Sequence, residues 1–120
     1  MTDYLQVTTT TPSREDAVSI AEVLINRRLA ACVQIIDTIE STYWWEGKVE
    51  KVTEWLCLAK TERRLYPEVE AAIIEAHPYD VPEVLAFEVA AGSKSYLTWL
   101  SGELQRGGSA DDPAQDVPQA

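Results

Sequence analysis

The segment Cys32-Val33-Gln34-Ile35-Ile36-Asp37-Thr38-Ile39-Glu40-Ser41-Thr42-Tyr43-Trp44-Trp45-Glu46 reads as one long β-strand. Its odd positions Val33, Ile35, Ile39, Tyr43 and Trp45 are apolar, and its even ones include Gln34, Thr38, Glu40, Thr42 and Glu46. A period of two is the mark of a pleated chain whose side chains alternate between faces. Asp37 interrupts the alternation and marks a candidate bulge. Glu46-Gly47-Lys48 supplies a turn, and residues 49–60 return as a second strand. That strand is apolar on both faces over Trp55-Leu56-Cys57-Leu58-Ala59, as expected where both sides are covered.

The hairpin outruns its own domain. At ~3.3 Å per residue its first strand spans about 50 Å. A compact chain of this length has a radius of gyration near ~14 Å and a diameter of roughly 35 Å. The ribbon must bend sharply or project, and its far end carries Tyr43, Trp44 and Trp45. Large aromatic groups left in water are costly, and a long exposed edge is a template for pairing. The expectation is a homo-oligomer whose interface uses Tyr43, Trp44, Trp45 and Trp55; the alternative folds these aromatics back over their own sheet.

Outward from the hairpin, residues 4–10 alternate and are rich in β-branched side chains, which predicts a first strand. A helix follows, with Thr11 or Ser13 as cap, Pro12 near its first turn and Ala17, Ile20, Ala21, Leu24 and Ile25 on one stripe. A second helix starts near Tyr66-Pro67-Glu68. His77-Pro78-Tyr79-Asp80-Val81-Pro82 is a stiff connector, residues 83–91 form a fourth strand, and a last helix follows Gly92-Ser93. The order β-α-β-β-α-β with an added C-terminal helix predicts a ferredoxin-like α+β sandwich with an elongated hairpin, one domain over residues 1–105. Residues 106–120, with two Gly, two Pro and three acids, are expected to form a disordered acidic tail.

Composition removes several function classes. The chain has 120 residues and a formal charge of −10, from 10 basic and 20 acidic side chains. That balance excludes a general nucleic-acid binder and an adherent of anionic membranes. No apolar run approaches the ~20 residues of a membrane span. Two cysteines do not make a disulfide scaffold, and residues 1–7 lack a basic and apolar leader, so a cytoplasmic protein is expected. There is no Walker A motif, dinucleotide glycine motif or nucleophile elbow, and His77 is the only histidine. No enzymatic activity is expected.

These segments resemble the CutA divalent-cation-tolerance family. Arg28-Leu29-Ala30-Ala31-Cys32-Val33 is similar to its entry to the second strand, and Ser41-x-Tyr43-x-Trp45-x-Gly47-Lys48 to its hairpin tip. Glu54-x-x-x-Leu58 with Lys60-Thr61 resembles the returning strand, His77-Pro78-Tyr79-Asp80-Val81-Pro82-Glu83 its most distinctive segment, and Tyr96-x-x-Trp99 its last helix. The resemblance implies a ferredoxin-like subunit, a homotrimer built through the long hairpins, and a link to copper and other divalent cations without a required cofactor. It also implies a non-enzymatic role as a weak metal binder or scaffold. The alternative is a signalling trimer resembling the PII proteins, with a small ligand in clefts between chains; the hairpin offers Lys48 and Lys51 but no glycine-rich phosphate cradle.

His77, Cys32 and Glu83 are the candidate metal ligands, because imidazole and thiolate suit copper or zinc and a carboxylate can ligate or orient them. The competing reading makes His77 a packed loop residue and both cysteines reduced core thiols. Where some family members carry a cysteine at the end of the first strand and paired histidines before Pro-Tyr, this chain has Thr8-Thr9-Thr10 and Ala76-His77. Counting back from the turn places Cys57 opposite about residue 37, beyond disulfide reach of Cys32. Glu54, inside the hairpin motif, is a candidate for a salt bridge across a subunit boundary.

Overall fold

Four strands and three α-helices make up the frame of the computed structural model, which describes residues 3–106. They are β1 (Tyr4–Thr11), α1 (Arg14–Asn26), β2 (Cys32–Trp45), β3 (Lys48–Glu62), α2 (Tyr66–Ala76), β4 (Leu85–Glu88) and α3 (Lys94–Glu103). The sheet order is β2-β3-β1-β4 with every neighbouring pair antiparallel, the ferredoxin-like α+β arrangement. The tail expected over residues 106–120 lies outside the described residues apart from Arg106.

Local chemistry sets the element ends. Of the two cap candidates for α1, Ser13 does the capping: its Oγ accepts from the Asp16 amide at 3.1 Å and donates to the Asp16 carboxylate at 2.8 Å. The Thr11 hydroxyl instead donates to the Ser13 carbonyl at 2.7 Å. At the other end Arg28 takes φ 54°, and the amides of Leu29 and Ala30 both return to the Leu24 carbonyl. The core then joins Leu5 and Val7 of β1, Ile20 and Leu24 of α1, Val69 and Ile73 of α2, and Leu100 of α3. Fully buried Thr61 ties β3 to the α1–β2 connection by donating to the Leu29 carbonyl at 2.6 Å.

The hairpin does project. The molecule measures 50 × 30 × 23 Å, and its long ribbon closes through Glu46 and Gly47, both at positive φ (50° and 79°). That is the two-residue turn whose twist matches the flanking strands. The bulge expected at Asp37 is present: Asp37 pairs with Trp55 while Ile39 pairs with Glu54, so one extra residue sits in β2.

This insertion overturns the continuous alternation read from the odd positions. Directly paired residues share a face. Val33 and Ile35 pair with Ala59 and Cys57 on the side of the helices, whereas Ile39, Tyr43 and Trp45 pair with Glu54, Glu50 and Lys48 on the opposite side. The same insertion, with a turn centred between residues 46 and 47, puts Cys57 opposite Ile35 instead of residue 37. Cys32 and Cys57 are both free thiols.

Two further expectations change. β4 covers only Leu85–Glu88, shorter than residues 83–91, and pairs with Leu5–Thr8 alone. Pro82 has no N–H to extend it at one end, and β1 gives out at Tyr4 at the other. Within a single chain, the strand expected to be covered on both faces is covered on one. Cys57 and Ala59 are buried beneath the helices, but Leu56 and Leu58 on the other face are half-buried, beside exposed Leu85 and Phe87 of β4.

Candidate functional site

Because β4 stops at Leu85, the far end of β1 has no strand on that edge. The Tyr4 carbonyl accepts from Val89 there, and by the alternation of a β-strand the Thr10 carbonyl points to the same edge. The connector after α2 fills the gap. His77, buried at the helix end, places Nε2 2.8 Å from the Thr10 carbonyl, and its Nδ1 lies 3.2 Å from the Tyr79 amide. A carbonyl only accepts and an amide only donates, so Nε2 carries the hydrogen and Nδ1 accepts. Both ring nitrogens are therefore engaged within the chain.

From there the connector crosses to the face of the sheet away from the helices. The Tyr79 ring stands 5.1 Å from the His77 ring, and its hydroxyl donates to Glu54 Oε2 at 2.9 Å. Burial and then the bonded Glu54 carboxylate push the Tyr79 phenol well above its usual range. Glu54 is only 4% exposed. Glu83, on the exposed rim, accepts from the Thr8 hydroxyl at 3.3 Å. Connector and hairpin together enclose a cleft of about 650 Å³, walled by Tyr43, Trp45 and Tyr79 and bearing the carboxylates of Glu54, Asp80 and Glu83.

His77 and Glu83 thus lie at neighbouring points of one connector, but Cys32 does not join them. It begins β2 opposite Lys60, whereas Thr10 lies opposite Leu56. Four residues along a strand is roughly 13 Å. The Cys32 thiol instead meets the Tyr96 hydroxyl of α3, where it adds to burial in raising the Tyr96 phenol. Among the described residues, no three His, Cys, Asp or Glu side chains form a group able to hold a metal ion.

The four aromatic candidates divide. Tyr43, Trp44 and Trp45 are exposed at 38%, 75% and 42%, with Trp44 on the opposite face from the other two. Trp55 is half-buried on the helix side, and its indole Nε1 is buried without a hydrogen-bond partner among the described residues. The role of Glu54 as acceptor for Tyr79 was not read from the sequence. The only signal was its place in a hairpin motif, 25 residues from its partner.

The family model described as CutA1 divalent ion tolerance protein matches residues 5–103. The chain is 43% identical over 91 residues to the divalent-cation tolerance protein CutA of Thermus thermophilus, covering 76% of this chain and 88% of that one. It is 43% identical over 96 residues to a chloroplastic CutA 1 protein of rice, covering 80% of this chain but only 54% of the rice protein. The crystal structure of CutA1 from Oryza sativa superposes with a TM-score of 0.84 at 38% identity, covering 87% of this chain and 95% of that one. With the projecting ribbon, the His77–Glu83 connector and α3 all in place, the chain belongs to the CutA divalent-cation-tolerance family.

Proposed function

We propose that this protein works in divalent-cation tolerance as a homotrimer, a weak binder of copper or other divalent cations or a scaffold in the metal-ion response, and that it catalyses no reaction. The observation that carries the proposal is the apolar surface a single chain leaves open. Tyr43, Trp44 and Trp45 at the hairpin tip and Leu85 and Phe87 on the uncovered sheet face are all more than a third exposed. Large apolar side chains left in water on this scale are the ordinary mark of an interface. Neighbouring copies of the same ribbon supply matching cover.

Weak metal capture follows from charge more than from a built site. Three copies would triple a net charge of −10, drawing divalent cations to the surface. Of the proposed ligands, Glu83 is the most available, being exposed with a single bond from Thr8. His77 would have to give up a hydrogen bond to coordinate, and Cys32 would act apart from both. The absence of catalysis rests on His77, whose ring is engaged by two backbone groups and, among the described residues, by no nucleophile. No helix among the described residues is long and apolar enough to cross a membrane. We place the protein in the cytoplasm, although its rice relative is chloroplastic.

Sedimentation of the purified protein at micromolar concentration, with copper calorimetry under reducing conditions on wild type, Glu83→Gln and His77→Ala, tests these statements. A trimer with weak, Glu83-dependent copper binding is expected. A stable monomer would overturn the assembly, and no copper binding would leave the scaffold role alone. One observation favours a second reading, a PII-like signalling trimer: the open cleft beside the hairpin. Its carboxylates oppose nucleotide phosphates, so a thermal-shift screen with ATP and ADP is expected to give no stabilisation.

A further inference from the structure

A single chain leaves Glu54 incomplete, and Glu54 sits on the sheet face that neighbouring copies would cover. It is only 4% exposed and makes no ion pair among the described residues. Its Oε2 accepts from the Tyr79 hydroxyl, which leaves Oε1 without a donor among those residues. An ionised carboxylate buried with so little compensation is costly, and a cation brought to it offsets the cost. No lysine or arginine lines the cleft onto which Glu54 opens.

The projecting ribbon carries the base that a second copy can offer. Arg14, Arg28, Arg63 and Arg64 are engaged with carboxylates of their own chain, and Lys60 with Gln34. Lys51 pairs with Thr42 and so lies on the other face of the ribbon, while Arg27 and Lys94 sit on the body of the domain, at the end of α1 and the start of α3. Lys48 differs from all of these. It is exposed, has no ion pair among the described residues, and pairs with Trp45 at the ribbon's tip, on the face that also holds Tyr43 and Glu54. Along β3 its own Glu54 is roughly 20 Å away, beyond a lysine's reach.

A base held out on a tip and an acid buried in a recess do not meet inside one molecule. They meet around a closed ring, where the protrusion of each copy enters the recess of the next. We propose that in the assembled protein Lys48 of each copy pairs with Glu54 of the neighbouring copy, completing the buried carboxylate at Oε1 and fixing the order in which the ribbons follow one another. This pairing rests on the trimer proposed above and adds the contact that sets its register.

Sedimentation of the full chain at low salt tests it, first in buffer and then over a dilution series in a fixed urea concentration below the unfolding transition. A wild-type monomer in buffer would sink trimer and pairing together, whereas a trimer indifferent to Lys48 would sink the pairing alone. Lys48→Met is expected to raise the protein concentration needed for half-assembly about 10- to 100-fold. Lys51→Met, at an equally exposed site on the other face of the tip, is expected to change it less than about 2-fold. In a Glu54→Gln background the effect of Lys48→Met is expected to shrink below about 3-fold, because the partner charge is gone. Should Glu54→Gln not fold, the contrast between the two exposed lysines decides, since neither belongs to the core. Equal effects of Lys48→Met and Lys51→Met, or an undiminished effect of Lys48→Met in the Glu54→Gln background, would overturn the proposal.

Discussion

Replacing His77 by alanine tests whether the family's most distinctive segment is held in place by its histidine. The ring is 9% exposed, donates to the Thr10 carbonyl and accepts from the Tyr79 amide. Removing it leaves two backbone groups without their partner, at about 1 kcal/mol each, since the connector is half-open to water. The lost packing against Tyr79 and the helix end adds about another 1 kcal/mol. A total near ~3 kcal/mol is expected, a large fraction of a domain's stability. The assay is urea unfolding of both proteins at matched concentration in chelator, read as a lower midpoint at constant slope. His77→Gln, whose amide can still donate to Thr10, is expected to recover about 1 kcal/mol. A loss below about 0.5 kcal/mol in metal-free protein would refute the reasoning and return the ring to a ligand role.

Three other outcomes are expected. Trp44→Ser combined with Trp45→Ser removes exposed indole surface, worth about 3–4 kcal/mol per copy for Trp44 alone if a neighbour covers it; sedimentation should move from trimer toward monomer, and an unchanged trimer would place the interface elsewhere. Burial raises the Cys57 thiol from 9.0 to about 11, so the folded state holds that proton more tightly than the unfolded one. Stability from this source is full below pH ~9 and falls as pH rises toward about 11, and Cys57→Ala should flatten that alkaline decline in pH-dependent unfolding. Thr61→Val keeps the shape but deprives the Leu29 carbonyl of its donor, at about 1–2 kcal/mol in denaturant midpoint.

The helices, the turn and the element order were legible because each has a local cause. Ser13 caps α1 with its own hydroxyl, Pro67 sits in the first turn of α2, and Glu46-Gly47 supplies two positive φ angles in sequence. What escaped was non-local. The length of β4 depends on where β1 begins, which no residue of β4 announces. The pairing of Cys57 with Ile35 depends on a bulge placed twenty residues earlier in the chain. Of the site, the connector residues His77 and Glu83 were visible by type, but the fact that both imidazole nitrogens serve backbone groups is a product of where Thr10 lies. Glu54 stood out by its place in the hairpin motif as a salt-bridge candidate, but its meeting with Tyr79 across the sheet has no signal in residue type or spacing.

The bulge at Asp37 gives the ribbon two reading frames. Up to that point the odd-numbered residues of β2 face the helices, and beyond it they face the other way, toward the cleft. Removing a single residue there would erase the bulge and let Ile39–Glu54 follow Asp37–Trp55 without a break, so Tyr43 and Trp45 would stay opposite Glu50 and Lys48 and keep their face. The single extra residue is thus the ribbon's slack, absorbing a length change that anywhere between Ile39 and Trp45 would put β2 out of step with β3 and turn side chains to the wrong face.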